Sequence, residues 1–448
     1  VDVASTLPGG QCSDVFGKIL RVSSGNFLEM YDFIVYGYYA TYIAGAFFPV
    51  SNRFASLMLS LVTFGAGYLM RPMGALFLGA YIDRKGRRRG LILTLLLMAI
   101  GTLSIAVTPG YATIGIAAPL IVLVGRLLQG LSAGVELGGV SVYLAEIATP
   151  GHRGFYCSWQ SASQQVAVVF TALIGILLTA RVSTHEMTTW GWRIPFLVGC
   201  FIIPILLWLR RSLSETEAFQ SGQHVRSTRD IFAIVLENWP LVTIGTLLSV
   251  LTTTTFYLIT AYTPTFGQRA LHLNANATFI VTLCVGLSNF FWVPVGGALS
   301  DRIGRLPLLI SMPALCLATA YPAMAWLTHA PSLGRLLAVE LWYSLFFGLY
   351  NGAMIPFVIE FLPQRIRTAG FSLSFSLATT LFGGFTPAIA TYLIQVTGNR
   401  AAPTLWLSFG AAISLVAALA AGHYVNRGKG GAGAVGLPGT TVPDPAGS

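Results

Sequence analysis

Gly79-Ala80-Tyr81-Ile82-Asp83-Arg84-Lys85-Gly86-Arg87 closes one apolar run and opens the next, and Gly297-Ala298-Leu299-Ser300-Asp301-Arg302-Ile303-Gly304-Arg305 repeats its frame. Both read Gly-x-x-x-Asp-Arg-x-Gly-Arg, and Asp83 to Asp301 is an offset of 218 residues. A second pair agrees: Glu146 with Arg153 returns as Glu360 with Arg367, an offset of 214. Two independent pairs at nearly one spacing indicate a duplicated unit. In each unit a charged turn separates two apolar segments, and Gly79 and Gly86 let the first turn bend sharply.

Outward from these turns the chain is apolar. Twelve runs are visible, roughly 24–48, 54–80, 90–108, 114–145, 155–180, 192–210, 239–266, 276–299, 307–328, 335–361, 369–397 and 402–425. At 1.5 Å per residue each can cross a hydrocarbon layer roughly 30 Å thick, and the longer ones must tilt. Backbone polar groups in lipid have to be satisfied within each run, so these are helices. The short alternating segments of a β-barrel are absent. Of the 448 residues 54% are hydrophobic and only 9% charged, with a mean hydropathy of +0.71. A soluble domain carries about 25% charged residues, so an ordinary cytosolic enzyme, a disordered chain and a coiled coil are excluded. The fold class expected is all-α integral membrane, twelve transmembrane helices in two six-helix repeats.

The net charge of +10 is explained by topology. With the N-terminus inside, 18 Lys and Arg fall in inner segments and 6 in outer loops, while Arg71 and Arg126 lie within spans. This bias places both termini in the cytoplasm. No basic patch interleaved with aromatics is present, so nucleic acid is not expected as a partner. The domain reading follows: a cytoplasmic N-terminal segment 1–22, a six-helix bundle 23–210, a cytoplasmic central loop 211–238, a second bundle 239–426, and a disordered Gly/Pro-rich tail 427–448. Residues 1–22 are polar and the first apolar run is too long for a signal h-region. The five cysteines (Cys12, Cys157, Cys200, Cys284, Cys316) are scattered and read as small packing residues. No GxSxG, P-loop or HExxH occurs, and the six histidines have no metal-ligand spacing. No enzyme, metal site or cofactor is expected.

The repeated loop, together with Gly125-Arg126-Leu127-Leu128-Gln129-Gly130 in the fourth span, resembles the major facilitator superfamily over roughly residues 16–427. Leu69-Met70-Arg71-Pro72-Met73-Gly74, GWRIPF (191–196) and LRRSLSETEAF (209–219) are similar to its metabolite:proton symporters. Within that group SGNFLEMYDF (24–33), AGVELGGVSVYLAEIATPG (133–151), SWQSASQQ (158–165) and TTTTFY (252–257) look most like the citrate–proton and tricarballylate–proton symporters. The resemblance implies a symporter working by alternating access. It also implies a conformational latch from Asp83, Arg84, Glu146, Arg153, Asp301, Arg302, Glu360 and Arg367. The Arg71-Pro-x-Gly element occurs as well in relatives that carry zwitterions. A symporter for a dicarboxylate, shikimate or a compatible solute such as proline or betaine is therefore the alternative, and a non-transporting nutrient sensor is the alternative of another class.

A charge at the bilayer centre costs roughly 2.5–3.5 kcal/mol, so ionisable residues within spans mark function. Proton-coupling candidates are Asp32, Glu136 and Glu29. Asp32 and Arg126 lie at comparable depth and are expected to pair, either as a coupling device or as a permanent tie between the first and fourth helices. Glu29 is expected near Arg71 or at the inner mouth. Glu136 would carry a proton or partner Arg71. Glu340, close to the outer end of its span, is expected to snorkel to the interface. For an organic acid the guanidinium forks of Arg126 and Arg71 match carboxylates. Neutral candidates are Gln129, Ser158, Gln160, Ser161, Gln164, Thr253, Thr254, Tyr257, Asn289, Tyr350, Asn351, Ser372 and Ser376, each readable instead as interhelical packing.

Driving a trianion into a negative compartment costs about 2.3 kcal/mol per charge per 100 mV, roughly 7 kcal/mol in all, about five decades of concentration. Protons carried with it remove that work. The expected partners are a small tricarboxylate, protons and membrane lipids. The expected setting is the bacterial inner membrane, with a monomeric protein.

Overall fold

The computed structural model describes residues 9–85, 87–134, 136–211, 237–364 and 366–426. The central loop and the tail lie outside them. So do the side chains of Asp83, Arg84 and Glu136.

The described residues are helical from end to end. The first half runs α1 (Gly9–Phe47), α2 (Arg53–Leu69), α3 (Arg71–Lys85), α4 (Arg87–Val107), the single turn α5 (Tyr111–Ile114), α6 (Ala117–Ala133), α7 (Glu136–Glu146), α8 (Arg153–Arg181), the short α9 (Thr184–Thr189) and α10 (Ile194–Arg211). The second half runs α11 (Trp239–Ile259), α12 (Thr263–Arg269), α13 (Ala275–Ile303), α14 (Arg305–His329), α15 (Leu333–Phe361), α16 (Arg367–Ala378), α17 (Thr386–Thr397) and α18 (Pro403–Asn426). A π-helical turn, Thr379–Gly383, joins α16 to α17. Eight helices or helix pairs among the described residues are long and apolar enough to cross a membrane, and Ile92–Val107, Ala117–Ala133 and Gly191–Pro204 are shorter apolar helices. With α1, whose apolar stretch is interrupted by Glu29 and Asp32, they supply the twelve crossings that the sequence predicts. An even number returns the chain to the side where it began, called here the termini side.

Several crossings are not single rods. The second is α2 followed by α3, broken at Met70 one residue before Arg71-Pro72, where the proline ring opposes continued helix. The seventh breaks at Thr260–Tyr262, so α12 is a separate short helix on the far side. The loop after α8 is closed by a capping box: Ser183 and Glu186 bond each other's backbone amides. The Ser183 hydroxyl and amide together hold the Glu186 carboxyl below the usual carboxylate range.

Close helix crossings repeat in the two halves, as the duplicated sequence requires. A Cβ on Gly130 of α6 would stand 1.6 Å from the Gly67 carbonyl oxygen of α2. In the second half a Cβ on Gly296 of α13 would meet the Gly348 oxygen of α15 at 2.6 Å. Glycine is needed at both because the backbones touch.

The halves meet along α8 against α13, and along α2 and α3 against α16, the π turn and α17. Thr380 on the π turn donates across this seam to the Tyr68 carbonyl, 2.7 Å. On the far side α1 meets α12, and Gly37 faces Ala261, whose Cβ lies 3.0 Å from where a Gly37 Cβ would be.

Candidate substrate and proton site

Between the halves lies a narrow cleft, with about 340 Å³ of atom-free space when the part open to solvent is counted. Met30 of α1, Arg71 of α3 and Ser161 and Gln164 of α8 face it from one half. Thr252, Thr253, Phe256 and Tyr257 of α11, Phe347 and Asn351 of α15 and Phe375 of α16 face it from the other. The TTTTFY stretch thus supplies four lining residues from two consecutive turns of one helix. The wall is mainly apolar, with polar groups few and converging, as small-molecule sites usually are.

Arg71 is the one cation in this lining among the described residues. It is 3% exposed and forms an ion pair with Glu29 of α1, itself 3% exposed. Its guanidinium also sits 5.1 Å from the ring centres of Phe33 and Tyr68. Glu29 and Phe33 are one helical turn apart on α1, so a single face supplies both the countercharge and the π surface. Desolvated cation–π contacts contribute about 2 kcal/mol each, and they hold a guanidinium in place without neutralising it.

Arg126 occupies a second, separate nest behind the wall. It is fully buried and stacked among Phe33, Tyr36 and Phe64 at 4.6, 4.7 and 5.2 Å. It donates to Gln129 Oε1 at 2.8 Å and to the Phe64 carbonyl at 3.1 Å. The expected direct pair with Asp32 does not form. Instead Gln129 Nε2 donates to Thr102 Oγ1 at 3.0 Å, and Thr102 Oγ1 bonds Asp32 Oδ2 at 2.5 Å. A hydrogen-bond chain, Arg126–Gln129–Thr102–Asp32, links the two charges through α6 and α4. Asp32 is fully buried and its Oδ1 has no hydrogen-bond partner. Phe33 touches both guanidinium groups, so the two nests share one ring.

Arg71, Ser161, Gln164, Thr253, Tyr257 and Asn351 are the sequence-derived candidates that line the cavity. Asn351 is fully buried with both amide atoms unpartnered, and Thr252 is likewise unpartnered. Such groups are costly unless a ligand or water meets them. The remaining candidates lie elsewhere. Gln129 belongs to the Arg126 nest. Ser158 bonds its own helix, donating to the Phe155 carbonyl at 2.6 Å. Gln160 accepts from the neighbouring Ser161 at 3.0 Å. Thr254 bonds the Val250 carbonyl and faces Gly410 of α18. Asn289 bridges Gln165 and Ser344, and Tyr350 donates to the Leu248 carbonyl, so both tie helices together. Ser372 and Ser376 are outside the lining. Met30, Thr252, Phe256, Phe347 and Phe375 also line the cavity, and nothing in an apolar sequence marks which side of a helix faces a cavity.

The latch residues also separate. On the termini side Asp301 accepts from the backbone amides of Gly154 and Phe155 at 2.8 and 2.9 Å, capping α8 from the other half. Arg305 bonds Asp301 at 2.6 Å and Glu360 at 3.4 Å. Arg305, the last residue of the repeated frame, is therefore the cation of this network. Arg302, Arg153 and Glu146 are exposed, and Arg367 is half-buried. Replacing Arg305 by alanine removes the ion-pair partner that Asp301 and Glu360 share. Transport by that variant is expected to slow about tenfold while the half-saturating substrate concentration stays within about twofold, as initial uptake rates would show.

A cation-bearing cleft at the seam of two repeated helical halves defines a membrane carrier. The chain belongs to the Major Facilitator Superfamily, whose family profile matches residues 22–387. It is 58% identical over 415 residues to a citrate-proton symporter of Salmonella typhi, covering 93% of this chain and 96% of that one. It is also 58% identical over 401 residues to a citrate-proton symporter of Klebsiella pneumoniae, covering 90% of each. Among solved structures the xylose transporter XylE from E. coli shares the fold, with a TM-score of 0.72 at 18% identity over 92% of this chain and 98% of that one.

Proposed function

We propose that the protein imports a tricarboxylate, citrate or tricarballylate, together with protons. The observation that carries this reading is the Arg71–Glu29 pair at the cavity wall. An arriving carboxylate competes with Glu29 for the Arg71 fork. Once displaced, Glu29 is a buried carboxyl parted from Arg71, and taking a proton neutralises it. Substrate and proton thus enter as one event. Asn351, Thr252, Ser161 and Gln164 offer neutral partners for the remaining oxygens. The two relatives at 58% identity support this chemistry.

The Arg126–Asp32 nest acts at one remove. Through Phe33 its charge state bears on Arg71, and the four-residue chain is a path along which Asp32 senses Arg126. The termini side is the cytoplasmic side of an inner membrane in this reading, because the positive residues gather there. The Asp301–Arg305–Glu360 network holds that side shut.

Purified protein in liposomes tests the proposal. Liposomes loaded with unlabelled citrate should take up labelled citrate in a saturable way, and an imposed inward proton gradient should drive net accumulation. Exchange of betaine but not of citrate would overturn the substrate, accumulation indifferent to the gradient would overturn the coupling, and binding without flux would leave a sensor.

A further inference from the structure

The geometry points to Glu340 as a further proton-binding site, apart from Glu29 and Asp32, one that latches the short helix α12 over the far mouth. The expected snorkelling to the interface does not occur. Glu340 is 3% exposed, eight residues into α15, and turned under α12. Its Oε1 lies 3.0 Å from Thr263 Oγ1, at the first residue of α12, and its Oε2 has no partner.

Thr263 Oγ1 has one hydrogen and three neighbouring oxygens: the Ile259 carbonyl at 2.8 Å, the Leu258 carbonyl at 3.4 Å and Glu340 Oε1 at 3.0 Å. Carbonyls can only accept. With its one hydrogen Thr263 donates either to Ile259 or to Glu340, and a proton on the carboxyl lets both contacts form at once, Thr263 donating to the carbonyl and accepting from the acid. No cation pairs with Glu340 among the described residues. Tyr343 of the same helix faces it, and Cys316 of α14 faces Tyr343 in turn. Arg269 on α12, His329 on α14 and Arg181 on α8 are exposed at helix ends, and Arg335 is held on Trp326. Away from its termini-side end α13 carries Cys284, α11 carries Tyr257 in the cavity wall, and Tyr262, next to Thr263, accepts from Thr391 of α17 at 3.0 Å. An isolated carboxylate in such a place is far costlier than the neutral acid.

The neutral acid pins the segment that closes the far mouth. Ala261 precedes α12 and meets Gly37 of α1, and α12 itself packs on α1 and α13. Opening this mouth lets water reach Glu340, whose proton then leaves. Closing it again requires a proton from the far side, one beyond any taken by Glu29. The destination of that proton rests on the symport reading above. The latch itself does not.

Amide hydrogen exchange of the 259–271 segment, corrected for intrinsic rates and run without substrate, tests the latch. Raising pH from about 6 to about 8 should speed exchange of this segment about tenfold in the native protein. In Glu340→Gln, whose amide keeps a neutral donor toward Thr263, the segment should stay slow at both pH values. Thr263→Val, which keeps the carboxyl but removes its partner, should exchange fast throughout. Equal pH response in the native and Gln proteins would overturn the proposal, as would a Thr263→Val segment as slow as the native one. Because no citrate is present, either failure is distinct from failure of the citrate reading.

Discussion

Arg71→Ala is expected to lose citrate binding by more than about a hundredfold, close to 3 kcal/mol, as a titration of the purified protein would measure. Among the described residues Arg71 is the one cation that faces the cavity, and it is held there by two aromatic rings and Glu29. Removing it deletes the fork that meets a carboxylate and leaves Glu29 without its countercharge. Arg71→Lys keeps the charge but not the planar fork, and recovers only part of the affinity. Glu29→Gln separates the two effects. It frees Arg71 permanently, so binding should persist while its dependence on pH flattens. Unchanged affinity in Arg71→Ala would move the site out of this cavity.

The second large effect is expected at Asp32. Asp32→Asn should abolish gradient-driven accumulation in liposomes and leave citrate exchange within about threefold of native. The carboxyl ends the chain that begins at Arg126, and it touches neither the cavity nor its lining. An amide keeps the Thr102 contact but cannot cycle a proton. Exchange therefore survives and uphill transport does not. Retained accumulation in this variant would assign the whole of proton coupling to Glu29 and Glu340.

What the sequence made legible was depth and repetition. The Asp83 and Asp301 frames gave the duplication, and the 18-to-6 distribution of positive residues gave a consistent set of crossings. The scarcity of intramembrane charge pointed to Glu29, Asp32, Arg71 and Arg126 before any geometry. Azimuth was hidden. Arg71 and Arg126 look equivalent in sequence, yet one faces the cavity and the other is walled off by Phe33 and Phe64. Asp32 was expected to reach Arg126 directly, and Gln129 and Thr102 intervene because α4 and α6 approach at that level. Glu340 differs from its sequence expectation for a related reason. Its span ends nearby, which in sequence puts lipid headgroups within reach, but the break at Thr260–Tyr262 folds α12 over it. A short helix inside a long apolar run carries no signature of its own.

The cap on α8 has one more consequence. Its acceptor, Asp301, and its donors, the amides of Gly154 and Phe155, belong to opposite halves. That helix start is complete only while the two halves touch on the termini side. When they part, bare amides meet solvent and the first coil of α8 frays. The order of those few residues is thus a built-in gauge of which way the carrier faces.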